Sequence, residues 1–278
     1  MSRSTRRNSG ARTIPGISLG VLLAAFLLVA LLAAGCGGET ATTTTAGGGT
    51  ATTATTAATA APTGDPIVVG AIVSATGPGA ALGEQERNTL KMQQDLINAS
   101  GGVLGRPLKI VIEDDKSDPK EAVTAANKLL QQDKAVALIA STISSSTLAV
   151  KEIAAQKGVP QMAMAAANDI TDKAPMEWIW RTPQKDALAV QRALDYIANN
   201  LKLKKVAVLH DENAFGSSGN AEIAKQAPSF GLEVVASESY KTNDTDMTAQ
   251  LTKIKGANPE VLIVWGTNPG PALAAKNM

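Results

Sequence analysis

The chain has 278 residues, 18% of them charged and only 3% aromatic, with 26 basic against 25 acidic side chains. This near-neutral balance excludes the basic footprint of a nucleic-acid-binding domain, and so few aromatics leave no stacking platform for bases. With one cysteine in all, the folded part has neither a disulfide framework nor a thiolate metal site.

The chain opens with Arg3, Arg6, Arg7 and Arg12 before its first acid, Glu39, and then runs apolar from Ile17 to Ala34. A basic start, an apolar middle and a small-residue end describe a secretory signal peptide over residues 1–35. Cys36 follows Ala33, Ala34 and Gly35, which resembles the bacterial lipobox, although Ala33 stands where leucine is more usual. In that motif signal peptidase cuts before the cysteine and its thiol carries a diacylglycerol. The apolar run approaches the length of about 20 residues that spans a membrane. The single cysteine, the small residues before it and the polar tract after it favour the lipoprotein reading; Arg6-Arg7 leave twin-arginine export as a weaker route. Loss of residues 1–35 removes four arginines and no acid, leaving 22 basic against 25 acidic side chains. Residues 36–64 are almost entirely Thr, Ala and Gly and read as a flexible tether, because they cannot bury enough surface to offset ordering.

From Asp65 onward, short apolar runs alternate with amphipathic ones. Strands are expected at "IVVGAIV", "LKIVIED", "AVALIA", "PQMAMA", "VAVLHD", "LEVVASES" and "VLIVWG". Helices are expected at "NTLKMQQDLINAS", "PKEAVTAANKLLQQ", "TLAVKEIAAQK", "ALAVQRALDYIANN", "NAEIAKQAPSF" and "MTAQLTKIKG". Continuous apolar strands alternating with helices predict an α/β fold with doubly wound parallel sheets. Asp118, Pro119 and Glu121 predict a capping box with proline at the first helical position. This assigns "EDDKSD" to a strand exit and a cap in preference to a cation loop.

Ligands in such sheets bind beyond the carboxyl ends of the strands. Gly77, Gly79 and Gly83 do not have the spacing of a dinucleotide fingerprint, and Glu113 and Asp114 lie too far along for a ribose contact; no cofactor is expected. "STISSST", residues 141–147, places six hydroxyls ahead of a helical pattern, where N–H groups favour an anion. A plain N-cap needs one hydroxyl, so an anion or polar ligand and a simple cap both stand on this motif. Catalysis has little support: His210 is the only histidine, Asp211 is its neighbour in a strand, and no nucleophile elbow, zinc-binding helix or P-loop occurs.

Together the lipobox, "GPGAALGEQ", "INASGGVLGRPLKIVIEDDKSDPKEAVTAANKLL", "SSST" and "VAVLHDENAFG" resemble the branched-chain amino-acid substrate-binding proteins of ABC importers. The resemblance covers Ile67 to Met278 and implies a type I periplasmic-binding-protein fold, with lobes at 65–183 and 184–278 closing on a small ligand. It implies a non-enzymatic, lipid-anchored protein on the outer face of a bacterial membrane, feeding a permease. It places the ligand carboxylate at Ser144, with Ser145 beside it, the ligand amine at a carbonyl near Ala165, and a covering aromatic at Phe215. Three positions depart from the family. Ala167 or Asn168 stands for a threonine, Leu82 for a tyrosine, and Thr267 or Asn268 for a second-lobe aromatic. The family also continues past Met278, so the resemblance implies a second lobe that is incomplete at its C-terminus. A sensor domain of the same fold, and less favourably an exported serine hydrolase, are the other readings.

Overall fold

The computed structural model describes residues 60–278; the expected signal peptide, Cys36 and most of the tether lie outside them. The end of the expected tether already belongs to the folded part, since the Thr63 N–H donates to the Gly105 carbonyl at 2.8 Å. No helix among the described residues is long and apolar enough to cross a membrane.

Strands β1 (Ile67–Val73), β2 (Leu108–Asp114), β3 (Ala137–Ala140), β4 (Gln161–Ala163) and β5 (Ile179–Arg181) form a parallel sheet in the order β2-β1-β3-β4-β5. Strands β6 (Lys205–Asp211), β7 (Glu233–Tyr240) and β8 (Val261–Trp265) form a second parallel sheet in the order β7-β6-β8. The helices are α1 (Ala80–Ala99), α2 (Pro119–Gln131), α3 (Ser144–Lys157), α4 (Asp169–Asp172) and α5 (Asp186–Asp195), the last widening into a π turn over Tyr196–Leu201. They continue as α6 (Ala214–Gln226), α7 (Thr248–Gly256) and α8 (Gly270–Asn277). The α/β alternation expected from periodicity is therefore observed. We call β1–β5 with α1–α4 the first lobe and the remainder the second.

Each lobe buries apolar strands against helices. In the first, Ile72, Leu129, Leu138 and Val150 are at most 1% exposed and pack α2 and α3 onto one face of the sheet. In the second, β6 alternates sides: Val206 and Val208 meet α5 and α6, while Ala207 and Leu209 meet α7, α8 and Tyr240. A strand covered on both faces needs an unbroken apolar run, which is what β6 has. Each fully buried Leu, Ile or Val contributes about 1.5–3 kcal/mol relative to exposure.

Two helices begin more than a full turn earlier than periodicity suggests. The first starts at Ala80 instead of Asn88, and α6 starts at Ala214 instead of Asn220. Both first turns carry a glycine that reads locally as loop, but its role is close approach. A Cβ on Gly83 would lie 2.1 Å from the Ser74 carbonyl oxygen, and one on Gly216 would lie 2.0 Å from that of Asp211. Each helix thus starts directly against the backbone leaving the first strand of its sheet. The expected cap at Asp118 is present, its carboxylate accepting the Lys120 N–H at 2.7 Å with Pro119 at the first helical position. The reciprocal half of the capping box is not formed. Glu121 pairs with Lys116 at 3.4 Å, and the Asp118 N–H donates to the Asp115 carbonyl.

Candidate functional site

The strand order reverses between β1 and β3 in one sheet and between β6 and β8 in the other. Loops diverge at such points and leave a crevice. A cavity of about 320 Å³ occupies the space between these two crevices. The first lobe lines it with Leu82 from α1, with Thr142, Ile143 and Ser144 after β3, and with Met164, Ala165 and Ala166 after β4. Facing them from the second lobe are Asn213 and Phe215 after β6 and Gly266, Thr267 and Asn268 after β8, with Gln184 at the junction.

The hydroxyl cluster serves two purposes. Most of it holds the first lobe together. Ser141 donates to Asp115 at 2.5 Å, and Thr147 accepts the Ser141 N–H at 2.9 Å. Thr142 accepts the Ser74 N–H at 2.8 Å and donates to Glu86 at 2.5 Å. Burial raises the Glu86 carboxyl above its ordinary range; the Thr142 hydrogen bond opposes this and the charge of Asp115 adds to it. None of these hydroxyls caps α3, whose N-cap is Ile143. Ser144 and Thr142 both line the cavity, but only Ser144 keeps its proton free: its oxygen accepts the Ala167 N–H at 3.2 Å, whereas Thr142 donates to Glu86. The first turn of α3 also offers N–H groups that have no partner inside the helix.

The predicted site residues divide. Leu82, Ser144, Ala165, Phe215 and Thr267, with Asn268, are brought to one cavity. The Ala165 carbonyl accepts no hydrogen bond from the described residues, whereas that of Ala166 takes the Asp186 N–H at 3.0 Å and Arg181 at 2.8 Å. The ring of Phe215 sits 5.7 Å from that of Trp265, tilted by 34°, and so is held from behind. Ser145, Ala167 and Asn168 lie outside this cavity. Ser145 accepts the Ala214 N–H at 3.3 Å and so ties α3 to α6. Asn168 is a joint between the lobes. Its N–H donates to Ser218 at 3.1 Å, its side chain accepts the Ala187 N–H at 3.1 Å, and its carbonyl accepts from Arg181 at 3.2 Å.

Several lining residues were not expected from sequence. Ile143, Met164 and Gln184 are ordinary apolar or polar residues in loops, and only the sheet topology brings them together. Asn213 had a local signal, since an Asn before a helical pattern reads as a cap. It caps α6 by accepting the Gly216 N–H at 2.9 Å.

Nothing in the site assembles a triad. His210 Nδ1 lies 2.9 Å from the Asp211 carbonyl oxygen, while the Asp211 carboxylate is taken by Asn213 and Thr242. Glu113 pairs with Lys128, Asp114 accepts from Thr76, Asp115 from Ser141 and Asp118 caps α2, and no cluster of three or more metal-ligating acids, His or Cys occurs among the described residues.

A family profile described as "Periplasmic binding protein" matches residues 66–277. The chain belongs to the periplasmic binding protein family. An amino acid binding protein of Pseudomonas aeruginosa is 33% identical over 73% of this chain and 54% of its own length. Two solved structures share the fold at 28% identity and a TM-score of 0.65, each covering 72% of this chain. One is the branched-chain amino acid transporter substrate binding protein LivJ of Streptococcus pneumoniae in complex with isoleucine, 57% of which is covered. The other is a solute binding protein of an ABC transporter from Rhodopseudomonas palustris in complex with 3,4-dihydroxy benzoic acid, 54% of which is covered. The chain spans about half the length of the curated relatives it matches. Its family is one of solute-binding proteins, not of enzymes, and acts outside the cytoplasm.

Proposed function

We propose that this chain carries the ligand-binding cleft of an ABC-importer solute-binding protein, tethered by a lipid on Cys36 to the outer face of the cell membrane. The ligand is a branched-chain amino acid or a related small carboxylate. One observation carries the reading: the cavity lies at the switch points of both sheets, with Ser144 and the first turn of α3 on one wall and Phe215 on the other. A carboxylate at Ser144 meets free N–H groups and a donating hydroxyl, which favour negative charge. The unused Ala165 carbonyl suits an ammonium, and Leu82, Ile143, Met164 and Phe215 suit an aliphatic side chain. The relative with isoleucine supports the amino-acid form of this reading; the one with a dihydroxy benzoic acid supports the wider carboxylate class. The partner that receives the ligand is a membrane permease.

Thermal melting of the full chain with leucine, isoleucine, valine and 3,4-dihydroxybenzoate tests this directly. A ligand at a hundredfold excess over its Kd adds about 2.7 kcal/mol of stability. Ser144→Ala and Phe215→Ala should each reduce that shift; equal shifts in both variants and the parent would refute the site. Radiolabelled lipid incorporation that survives Cys36→Ala would refute the anchor.

A further inference from the structure

Each lobe holds one aspartate that is completely buried at the carboxyl end of its sheet, Asp115 just after β2 and Asp211 as the last residue of β6. Neither has an opposite charge as its hydrogen-bond partner. Asp115 accepts the Ser74 hydroxyl at 2.6 Å, the Ser141 hydroxyl at 2.5 Å and the Ser117 N–H at 2.9 Å. These three donors sit on the loops after β1, β3 and β2. Asp211 accepts the Thr242 hydroxyl at 2.7 Å, the Asn213 side-chain N–H at 2.8 Å and the Asn213 backbone N–H at 3.2 Å. The Asn213 amide nitrogen also reaches Thr267 Oγ1 at 3.0 Å. The second carboxylate therefore gathers the loops after β7, β6 and, through Asn213, β8.

Every loop that leads into the cavity from the switch points is thus tied to one of two buried carboxylates. Ser141 is followed by Thr142, Ile143 and Ser144; Asn213 and Thr267 line the cavity themselves, beside Phe215 and Gly266. We propose that Asp115 and Asp211 are positioning residues of the binding cleft, each fixing three loops of its lobe, the two at the switch point among them, in the shape the ligand meets. The physical reason is that a buried anion costs free energy unless hydrogen bonds surround it. Ordering the loops and solvating the charge are then a single event, and each loop that leaves withdraws a donor from a carboxylate water cannot reach. Such charge-assisted bonds are short and stronger than neutral ones. The inference rests on the ligand reading above only for the binding arm of its test.

The test is Asp211→Asn in the full chain, read by calorimetric titration with isoleucine and by amide hydrogen exchange without ligand. The new amide places its own donors against the Asn213 amide donors and leaves them unmatched. Isoleucine binding should weaken about tenfold or more, as for loss of a hydrogen bond to a charged group. Exchange should quicken in the segments around 212–216, 241–244 and 266–269 while the β6 amides keep their protection. The double variant Asp211→Asn/Asn213→Asp restores a donor opposite an acceptor and retains a cap for α6; it should recover exchange protection, which is its readout because residue 213 lines the cavity. Unchanged affinity and exchange in Asp211→Asn would overturn the proposal, and so would a double variant that recovers no exchange protection. If the parent itself does not bind isoleucine, the ligand reading fails, and the exchange pattern with its rescue still decides the positioning role. Should Asp211→Asn fail to fold, Thr242→Val removes a single donor, and faster exchange confined to 241–244 supports the role while uniform protection overturns it. In the first lobe, Ser141→Ala should quicken exchange at 141–144 in the same way.

Discussion

Replacing Asp186 by asparagine should make the protein more stable at neutral pH and leave it unchanged in acid. Asp186 opens α5 where the lobes join; it is 1% exposed, and neither carboxylate oxygen makes a hydrogen bond. Burial pushes its carboxyl from the ordinary 3.8 up to about 6; Ser218 and the Arg181 guanidinium pull it down, and Glu222 pushes it further up. The Ser218 hydroxyl is near enough to favour the charge without reaching hydrogen-bonding geometry. The folded state therefore holds this proton more tightly than the unfolded chain, and stability falls as pH rises through the interval from 3.8 to about 6. At about 1.36 kcal/mol per pH unit, the ionised carboxylate costs the fold about 3 kcal/mol above that interval and nothing below it. Asparagine keeps the shape and cannot ionise. Urea unfolding of the parent and Asp186→Asn should differ by up to about 3 kcal/mol at pH 7.5 and converge by about pH 4. In melting temperature this corresponds to roughly 6–12 °C at neutral pH for a domain of this size. A difference of equal size at both pH values, or a variant less stable at pH 7.5, would refute the reasoning.

Three further outcomes follow from the packing. Leu129→Ala empties a fully buried position between Ile72, Leu138 and Val150, and chemical denaturation should register a loss of about 2–5 kcal/mol. Asp118→Ala removes the α2 cap and should cost about 1 kcal/mol by the same measurement, with isoleucine affinity retained. Gly216→Ala sets a methyl 2.0 Å from the Asp211 carbonyl oxygen, so α6 must withdraw. Titration should then show weaker isoleucine binding, and unfolding a loss of about 1–3 kcal/mol.

The alternation of strands and helices is legible because burial on both faces imposes long apolar runs, and β1, β2, β6 and β8 all carry them. The fifth strand is not legible. Its three residues, Ile179–Arg181, include an exposed tryptophan, and it exists because β4 offers a parallel edge, Met162 facing Trp180. The early helix starts stayed hidden because glycine is locally a loop signal, and the constraint behind Gly83 and Gly216 is a distant backbone. That Ser144 and Phe215 meet at one cavity is expected only from family likeness. The hydroxyl run drew notice as a ligand cradle, yet most of its oxygens serve Asp115, Glu86 and the main chain. A sequence states how many donors a loop has; which of them face inward depends on where the other strands end. Asn168 shows the same gap, since a residue expected at the ligand instead joins the lobes.

The run from Met164 to Asn168 is five residues long and has two duties. Met164, Ala165 and Ala166 form a wall of the cavity, and Asn168 carries the bonds to α5 and α6. Only Ala167 separates the wall from the joint, so a displacement of the wall has one residue in which to be absorbed before it reaches the bonds between the lobes. Enlarging Ala165 should therefore strain the Asn168 bonds to α5 and α6 as well as narrow the cavity.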